Sequence, residues 1–332
     1  MLTRTIHVTA TNSFRQCRRR YYYQEVQHLV PLVPNPKMAL GIAFHQGVSV
    51  YYRTGDWDAG RGAAYLEWLK QIVSEEGYDE EGALLASMYN MYVDDCRLHD
   101  PEAFSRLLGV ELPISAPIIS EHVRPMILRG TLDLLVSDVH NRLWIVDHKT
   151  VAAFRDPNEL ILDDQMAAYA WLVRQAYPEE RLAGVIYSQV RRKLPSIPEV
   201  VSDGTRLSRR ACDTTPEVYR RAIKSYGLDP RDYQEELTQL ENSRDRWVRR
   251  EWIPIGRSRI DTFATSLAAI AADIDRAHAR DEFYPTPTPR CSVECPFSTL
   301  CRIEAEGGDI TEAVEGMFRI DPHRRERVGG TL

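Results

Sequence analysis

Two hydrophobic periods divide this chain into a helical part and a part rich in strands. Helical periodicity, in which apolar residues recur every three to four positions, covers four segments near the N-terminus: 11–29, 38–53, 60–75 and 80–98. Proline and glycine residues separate these segments. The pattern therefore predicts that the first third of the chain is largely helical.

Strand signals begin close to residue 110. Apolar segments with many β-branched residues predict three strands, over 110–119, 126–137 and 142–148. Asp138–Asn141 has the composition of a hairpin turn between the last two. A helix over 159–176 and a buried strand over 183–190 follow. This order predicts an α/β fold in which a mixed central sheet is flanked by helices.

The rest of the chain returns to helical periodicity near 216–226, 230–252 and 257–280. We expect these helices to form a lid or insertion. The domain organisation that we predict has five parts: a helical N-terminal region (1–108), an α/β core (109–195), a helical insertion or lid (196–284), a cysteine cluster segment (285–317) and a mobile tail (318–332).

Composition narrows the class of protein. The chain has 332 residues, of which 43% are hydrophobic, so it can bury a core of ordinary size. It contains no apolar run long enough for a signal peptide or a membrane span, and we expect a cytoplasmic protein with no membrane partner. In that compartment, six cysteines are more typical of metal ligands and buried thiols than of disulfides.

The net charge of −6 argues against non-specific binding of polyanions, although basic residues are clustered. The clusters are Arg18–Arg20, Arg191–Lys193, Arg206–Arg210, Arg244–Arg250 and Arg324–Arg327. Tyr21–Tyr23 directly follow the first cluster. Aromatic rings beside guanidinium groups suit stacking of single-stranded bases, which we take as the hypothesis for this segment. Core packing of the tyrosines is the alternative.

Two acids and a lysine carry the chemistry of the predicted sheet. Asp133 lies in the second strand and Asp147 ends the third, so a hairpin would make them cross-strand neighbours. Lys149 is two residues beyond Asp147, and the period of a strand places both side chains on one face. Carboxylates can hold Mg2+ or Mn2+ for phosphodiester hydrolysis, with the ammonium serving the attacking water. The alternative is an exposed ion pair at a strand end.

These residues resemble the PD-(D/E)XK nuclease superfamily, and in particular its RecB-like branch. The pattern of that branch is matched in order by Gly41-Ile-Ala-Phe-His45, Gly130-Thr-Leu-Asp133, Asp147-His-Lys149 and Gln165-Met-Ala-Ala-Tyr169. The resemblance implies a restriction-endonuclease-like core, so that the predicted 109–195 region would be a nuclease core.

The resemblance also implies roles for the matched residues. His45, Asp133, Asp147 and the backbone carbonyl of His148 would hold the metal ion, and Lys149 would serve the attacking water. Gln165 and Tyr169 would line the site and contact nucleic acid, and Glu111 would be a further acid. From the residues alone, His45 could equally be a core histidine, and Gln165 and Tyr169 a packing pair on one helix face.

Three cysteines near the C-terminus, Cys291, Cys295 and Cys301, form a group that Cys17 could join as a fourth ligand of one metal centre. This set resembles the iron-sulfur members of the same branch, such as AddB-type helicase-nucleases and CRISPR-adaptation exonucleases. The resemblance implies a structural [4Fe-4S] cluster that joins the chain termini. Its first gap of three residues departs from the more common two. Zinc and free buried thiols are the alternatives.

Taken together, the resemblance implies a metal-dependent DNA exonuclease that acts on single-stranded ends in phage or prokaryotic recombination and repair. The chain has no Walker-type phosphate loop, so unwinding would require a separate helicase or recombination partner. Two alternatives stay open: a catalytically silent DNA-binding or assembly subunit of a larger complex, and an endonuclease.

Overall fold

The fold is built on a six-stranded mixed sheet. The computed structural model describes residues 4–71, 78–119, 124–201, 205–208 and 212–321. The strands are β1 (Arg4–His7), β2 (Leu29–Pro31), β3 (Arg106–Ile118), β4 (Met126–Ser137), β5 (Leu143–Val151), β6 (Leu182–Arg191), β7 (Val248–Pro254) and β8 (Phe318–Ile320).

Helices occupy most of the remaining described chain. They are α1 (Val8–Gln16), α2 (Arg18–Tyr21), α3 (Pro36–Thr54), α4 (Trp57–Gln71), α5 (Tyr78–Ala103), α6 (Pro157–Ile161), α7 (Asp164–Ala176), α8 (Pro216–Ser225), α9 (Gln234–Glu241), α10 (Arg257–Arg280), α11 (Cys291–Glu294), α12 (Ser298–Ala305) and α13 (Thr311–Met317). Within the described ranges, no helix combines the length and apolar character that a membrane crossing requires.

The central strand β4 has one edge that is shared by two partners. β3 runs antiparallel along the other edge from Arg106 to Ile118. On the shared edge, parallel β1 pairs with residues 126–129 and antiparallel β5 pairs with residues 134–137. Residues 130–133 of β4 face the space between these two partners. Beyond β5, the sheet continues through parallel β6 to antiparallel β7.

Helices cover both faces of the sheet. On one face, α1, α7 and α10 pack against the strands around a large apolar core that includes Leu128, Leu172 and Leu267. On the opposite face, α3, α4 and α5 form a second core around Phe44, Trp68 and further aromatic side chains. The fold class read from the sequence, a mixed sheet between helical layers, is confirmed.

The two ends of the described chain meet in a small separate layer. β2 pairs antiparallel with β8, and the backbone N–H of Arg19 donates to the Tyr284 carbonyl at 3.1 Å. Phe297 and Leu300 pack there with Tyr23. The predicted mobile tail therefore starts too early, because residues 318–320 form β8. Residues 322–332 of that tail, which include the basic cluster Arg324–Arg327, lie outside the described residues.

Two strands of the central sheet, β1 and β7, were missed because both are short and partly polar, and the short pair β2 and β8 was missed as well. β1 belongs to the central sheet, so the N-terminal region is not wholly helical. The helix predicted over 230–252 is wrong at its end, where β7 forms the edge of the sheet. α10 also packs on α7 in the main core, so the predicted lid does not extend over 248–280. The part of the predicted lid that lies outside the sheet has its own apolar cluster, which includes Tyr219, Ile223 and Leu237.

The hypothesis that Tyr21–Tyr23 stack single-stranded bases is wrong for two of the three rings. Tyr21 is 2% exposed and Tyr23 is fully buried, and they pack on Phe283 and Phe297 respectively. Residues 209 and 210 of the basic cluster Arg206–Arg210 lie outside the described residues. The tyrosine run therefore belongs to the core, the alternative left open by the sequence.

Two glycines of α4 give a matched test of the packing between α3 and α4. A Cβ on Gly60 would lie 2.0 Å from the Tyr89 hydroxyl oxygen and 2.8 Å from the Gly47 carbonyl oxygen, whereas one on Gly62 meets nothing within 4 Å. We expect Gly60→Ala to lower the free energy of unfolding by about 1–3 kcal/mol through overpacking. We expect Gly62→Ala to raise it by about 0.5–1 kcal/mol. Denaturant unfolding measures both, and equal effects would contradict this packing.

Candidate metal and catalytic site

The gap on the shared edge of β4 holds the first of the predicted acids. Leu134 and Val146 form the last pair of the β4–β5 ladder, so Asp133 and Asp147 occupy the next positions, where the two strands separate. The backbone N–H of His148 donates to Asp133 Oδ2 at 2.7 Å. The backbone N–H of His148 in β5 therefore bonds the Asp133 carboxylate in place of a backbone carbonyl of β4.

Glu111 lies beside Asp133 on the other neighbouring strand. Its φ of 48° is left-handed, which is costly for a residue with a side chain and is found mainly where the surroundings enforce it. The pairs Val110–Leu134 and Leu112–Leu132 flank it. Burial, followed by the charge of Asp133, raises the pKa of the Glu111 carboxyl to about 7.

His45 reaches the same point from α3. This helix starts where the Asn35 side chain accepts a hydrogen bond from the Lys37 N–H at 3.0 Å. His45 Nδ1 is 3.5 Å from Asp133 Oδ1. Burial disfavours the imidazolium, but the Asp133 carboxylate outweighs it and raises the pKa of His45.

His45, Glu111 and Asp133 form a potential metal-ligand group, with one ligand atom of each within 4.8 Å of the others. Two partly buried acids at this separation repel one another unless positive charge lies between them. Carboxylate oxygens are the ligands that Mg2+ and Mn2+ prefer, and an imidazole is compatible with Mn2+. The donor set therefore fits a divalent cation.

Asp147 lies next to this group and not within it. The Lys149 ammonium donates to Asp147 Oδ1 at 3.0 Å and lies 2.9 Å from Oδ2. Asp147 is 4% exposed, and burial raises the pKa of its carboxyl against the opposing effect of Lys149. Asp147 and Lys149 share a face of β5, which follows the predicted alternation. The three-residue group contains Glu111, which the sequence analysis gave as a further acid, and ligation of the metal by Asp147 stays a prediction.

The helix α7 covers Asp147 and Lys149. It begins at Asp163, whose side chain accepts from the Gln165 N–H at 2.9 Å. Gln165 Nε2 donates at 3.2 Å to the hydroxyl of Tyr169, which lies one turn further along the helix. Burial raises the pKa of Tyr169, and the charge of Asp147 raises it further.

Gly130 is the residue that allows this helix to approach. A Cβ on Gly130 would lie 2.8 Å from Tyr169 Cε1 and 3.2 Å from Val8 Cγ2. The glycine of the Gly130-Thr-Leu-Asp133 motif thus makes room for the tyrosine of the Gln165–Tyr169 motif. Two motifs that are far apart in the sequence are in this way parts of one packing contact.

The sequence reasoning missed the support behind His148. Its imidazole points to the face opposite Asp147, where both ring nitrogens lie 3.4 Å from the Tyr92 hydroxyl and the ring stacks on Tyr52 at 6.1 Å. Burial lowers the pKa of His148 to about 3. Tyr52 and Tyr92 lie in helical segments of ordinary apolar period, so no sequence signal separated them from other core residues. Ligation of the metal by the His148 carbonyl stays a prediction.

The four cysteines of the predicted cluster come from both ends of the chain to one region. The Thr286 N–H donates to Cys17 Sγ at 3.4 Å. Cys295 and Cys301 are partly buried against the small terminal core. Burial, followed by the charges of Cys295 and Cys17, raises the pKa of Cys301 to about 11. Cys96 is buried between helices and sheet, away from this group.

Replacing Glu111 by glutamine tests the metal-ligand group. Removal of one negative charge from the set should lower Mn2+ affinity at least about tenfold, because affinity for hard cations follows the number of charged ligands. Isothermal titration calorimetry, or the Mn2+-dependent rise of the unfolding temperature, gives the affinity. Glu102→Gln, an exposed acid at the end of α5, is the matched control. Equal Mn2+ affinities of the two variants would exclude Glu111 as a ligand.

Comparison with known proteins agrees with this geometry. A sequence model described as the PD-(D/E)XK nuclease superfamily matches residues 5–302. No curated protein matches the chain. The solved "Crystal structure of SSO0001" is similar at 11% sequence identity and a TM-score of 0.36, over 91% of this chain and 86% of that chain, a likeness on which we base no conclusion. The superfamily match covers nearly the whole chain, and the chain therefore belongs to the PD-(D/E)XK nuclease superfamily.

Proposed function

We propose that this protein is a metal-dependent exonuclease that hydrolyses DNA from single-stranded ends. The superfamily indicates a phosphodiesterase nuclease with DNA as substrate and Mg2+ or Mn2+ as its metal. The observation that carries the proposal is the meeting of His45, Glu111 and Asp133 beside the Asp147–Lys149 ion pair. The acids and the lysine that hydrolysis requires are all present at one point.

Each group has a distinct task in this proposal. A divalent cation held by His45, Glu111 and Asp133, with Asp147 adjoining, would supply charge relief for the scissile phosphate. The Lys149 side chain is one-third exposed, at 32%, and Asp147 fixes the position of its ammonium. It is placed to orient the attacking water and to hold the phosphate by a hydrogen bond.

Tyr169 and Gln165 bound the site on the α7 side. The Tyr169 hydroxyl accepts a hydrogen bond from Gln165 and has its own proton to donate. A phosphate oxygen of the substrate is a suitable acceptor for that proton. We propose that this pair orients the strand at the scissile phosphate, a role that the motif alone could not separate from packing.

Hydrolysis should depend on Lys149 and Asp147. We expect Lys149→Ala and Asp147→Asn each to lower the rate of DNA degradation with Mn2+ at least about a hundredfold, since positioned acid–base groups contribute that much or more. The assay is release of nucleotides from end-labelled single-stranded DNA. Lys70→Ala is the matched control, because Lys70 is exposed on α4 and pairs there with Glu67.

A second substrate in the same assay tests the dependence on ends. The proposal expects linear single strands to be degraded and a circular single strand of the same sequence to persist. Cleavage of the circle would instead indicate an endonuclease. Binding of DNA without degradation by the wild-type protein would indicate a catalytically silent subunit of a larger complex.

The cysteines support a second part of the proposal, a [4Fe-4S] cluster held by Cys17, Cys291, Cys295 and Cys301, as in the iron-sulfur members of the RecB-like branch. Two of the sulfurs accept backbone hydrogen bonds, from Thr286 to Cys17 and from Thr288 to Cys291 at 3.3 Å. Such bonds are common around cluster thiolates.

The spacing of the sulfurs is compatible with a cluster, and zinc and free thiols are the alternatives. Four thiolates on one Zn2+ at about 2.3 Å lie less than about 4.6 Å apart. In the described ranges, no three cysteine sulfurs lie within 4.8 Å of one another. A cluster of several metal ions has room for a wider set of ligands. Its role would be structural, because it would join the end of α1 to the segment that follows α10.

Loss of one sulfur should affect folding before it affects chemistry. We expect anaerobically purified Cys17→Ser protein to lose the visible absorption and the iron and sulfide of the wild type, and to unfold at a lower temperature. Cys212→Ser is the control, since Cys212 is not one of the four predicted ligands and its thiol donates to the Ser196 carbonyl at 3.5 Å. Wild-type protein that contains zinc and no iron would refute the cluster.

A recombination or repair setting, with a separate helicase as partner, would suit such an enzyme. It would receive single strands from the partner and shorten them. This setting follows from the proposed end-dependent activity together with the absence of a Walker-type loop in the sequence.

A further inference from the structure

A row of side chains crosses three strands from the catalytic lysine to the edge of the sheet. Lys149 of β5 is in register with Gln189 of β6, and Gln189 is paired with Arg249 of β7. Residues paired in this way point to the same face of a sheet. Since neighbouring strands are about 4.8 Å apart, the Cα atom of Arg249 lies about 10 Å from that of Lys149.

Arg249 forms the outer end of this row together with Phe154. Its guanidinium carbon lies 4.5 Å from the centre of the Phe154 ring. The loop that carries Phe154 is fixed at its next residue, because the Arg155 N–H donates to Gln189 Oε1 at 3.1 Å and the Arg155 guanidinium donates to Asp163 at 3.0 Å. The aromatic ring and the cation are therefore held side by side on the face that carries Lys149.

Arg192 adds a second positive charge at the same end of β5. Its backbone N–H donates to the Val151 carbonyl at 2.7 Å, so it directly follows the residues that flank Lys149. Its side chain is half-buried, and burial lowers the pKa of the guanidinium. Among the residues that the structure describes, neither Arg192 nor Arg249 has a carboxylate within 4.0 Å.

The neighbouring basic residues differ in this respect. Arg191, Lys193 and Arg246 all pair with Asp213. Arg250 points to the opposite face, where it pairs with Asp95 at 3.2 Å. The clusters Arg191–Lys193 and Arg244–Arg250 thus each contain one cation, Arg192 and Arg249, that has no carboxylate partner among the described residues. Arg249 belongs to the row, and Arg192 follows the end of the neighbouring strand β6.

We propose that Phe154, Arg249 and Arg192 form a binding surface for single-stranded DNA next to the scissile phosphate. An unpaired base stacks on Phe154, and the two arginines contact the adjoining phosphates. Stacking requires a base that is free of a partner strand, and uncompensated guanidinium groups complement the phosphate charge. Between this surface and Lys149 lies Gln189, which is buried beneath the loop that carries Phe154. This inference rests on the proposed nuclease function and specifies how its substrate is held.

The test measures affinity for a labelled single-stranded oligodeoxyadenylate by fluorescence anisotropy, with EDTA present to prevent hydrolysis. We expect Phe154→Leu to weaken binding roughly tenfold, because it keeps apolar volume and loses the aromatic face. Phe154→Trp should retain most of the affinity. Arg192→Ala should reduce the slope of log K against log salt by about 0.7, the contribution of one phosphate contact on a single strand.

Lys193→Ala is the matched control for Arg192→Ala, since it removes an adjacent cation that Asp213 already compensates. It should leave affinity and salt slope unchanged. A blunt duplex is the second comparison, and Phe154→Leu should not weaken its binding, because paired bases do not reach the ring. The proposal is overturned if Phe154→Leu and Arg192→Ala bind the single strand like Lys193→Ala, or if Phe154→Leu weakens duplex binding equally.

These outcomes separate the surface from the proposed activity. Wild-type protein that degrades DNA with Mn2+ while all variants bind alike would refute the surface alone. Wild-type protein that fails to degrade DNA, while Phe154→Leu and Arg192→Ala bind more weakly, would refute the activity and leave the surface intact. Unfolding temperatures of the variants show that each is folded.

Discussion

The candidate site depends on two carboxylates that the fold brings together at a gap in the central sheet. Glu111 and Asp133 lie on neighbouring strands at the point where β4 has lost β1 and has not yet met β5. Their mutual repulsion is offset by the His45 imidazole and by the His148 N–H, both of which belong to elements that must be correctly placed first. The site is therefore a consequence of the complete fold, and no single segment contains it.

Packing on both faces of the sheet holds this arrangement. On one side, Gly130 allows Tyr169 to lie directly over the strand. On the other side, Tyr92 fixes the ring of His148 and so the strand position from which its N–H holds Asp133. The acids are consequently rigid although they repel one another, which is the condition for binding a cation without rearrangement.

Much of the core was predictable from local patterns. The boundaries of β4 and the alternation that places Asp147 and Lys149 on one face follow from the period of a strand, which any extended segment must obey. β7 was missed because its three charged residues gave it a helical appearance, and only its pairing with β6 makes it a strand. Tyr21–Tyr23 were also misread, because only tertiary contacts decide whether a run of tyrosines is buried or exposed.

The sequence by itself determined the superfamily, the sheet with its flanking helices and the identity of the chemical groups. These depend on residue type, spacing and local periodicity. Only the tertiary structure decided that Glu111 joins His45 and Asp133 while Asp147 pairs with Lys149, and which arginines lack an acid partner. Those outcomes depend on register across strands and on contacts between distant segments, and neither is encoded in the neighbourhood of any one residue.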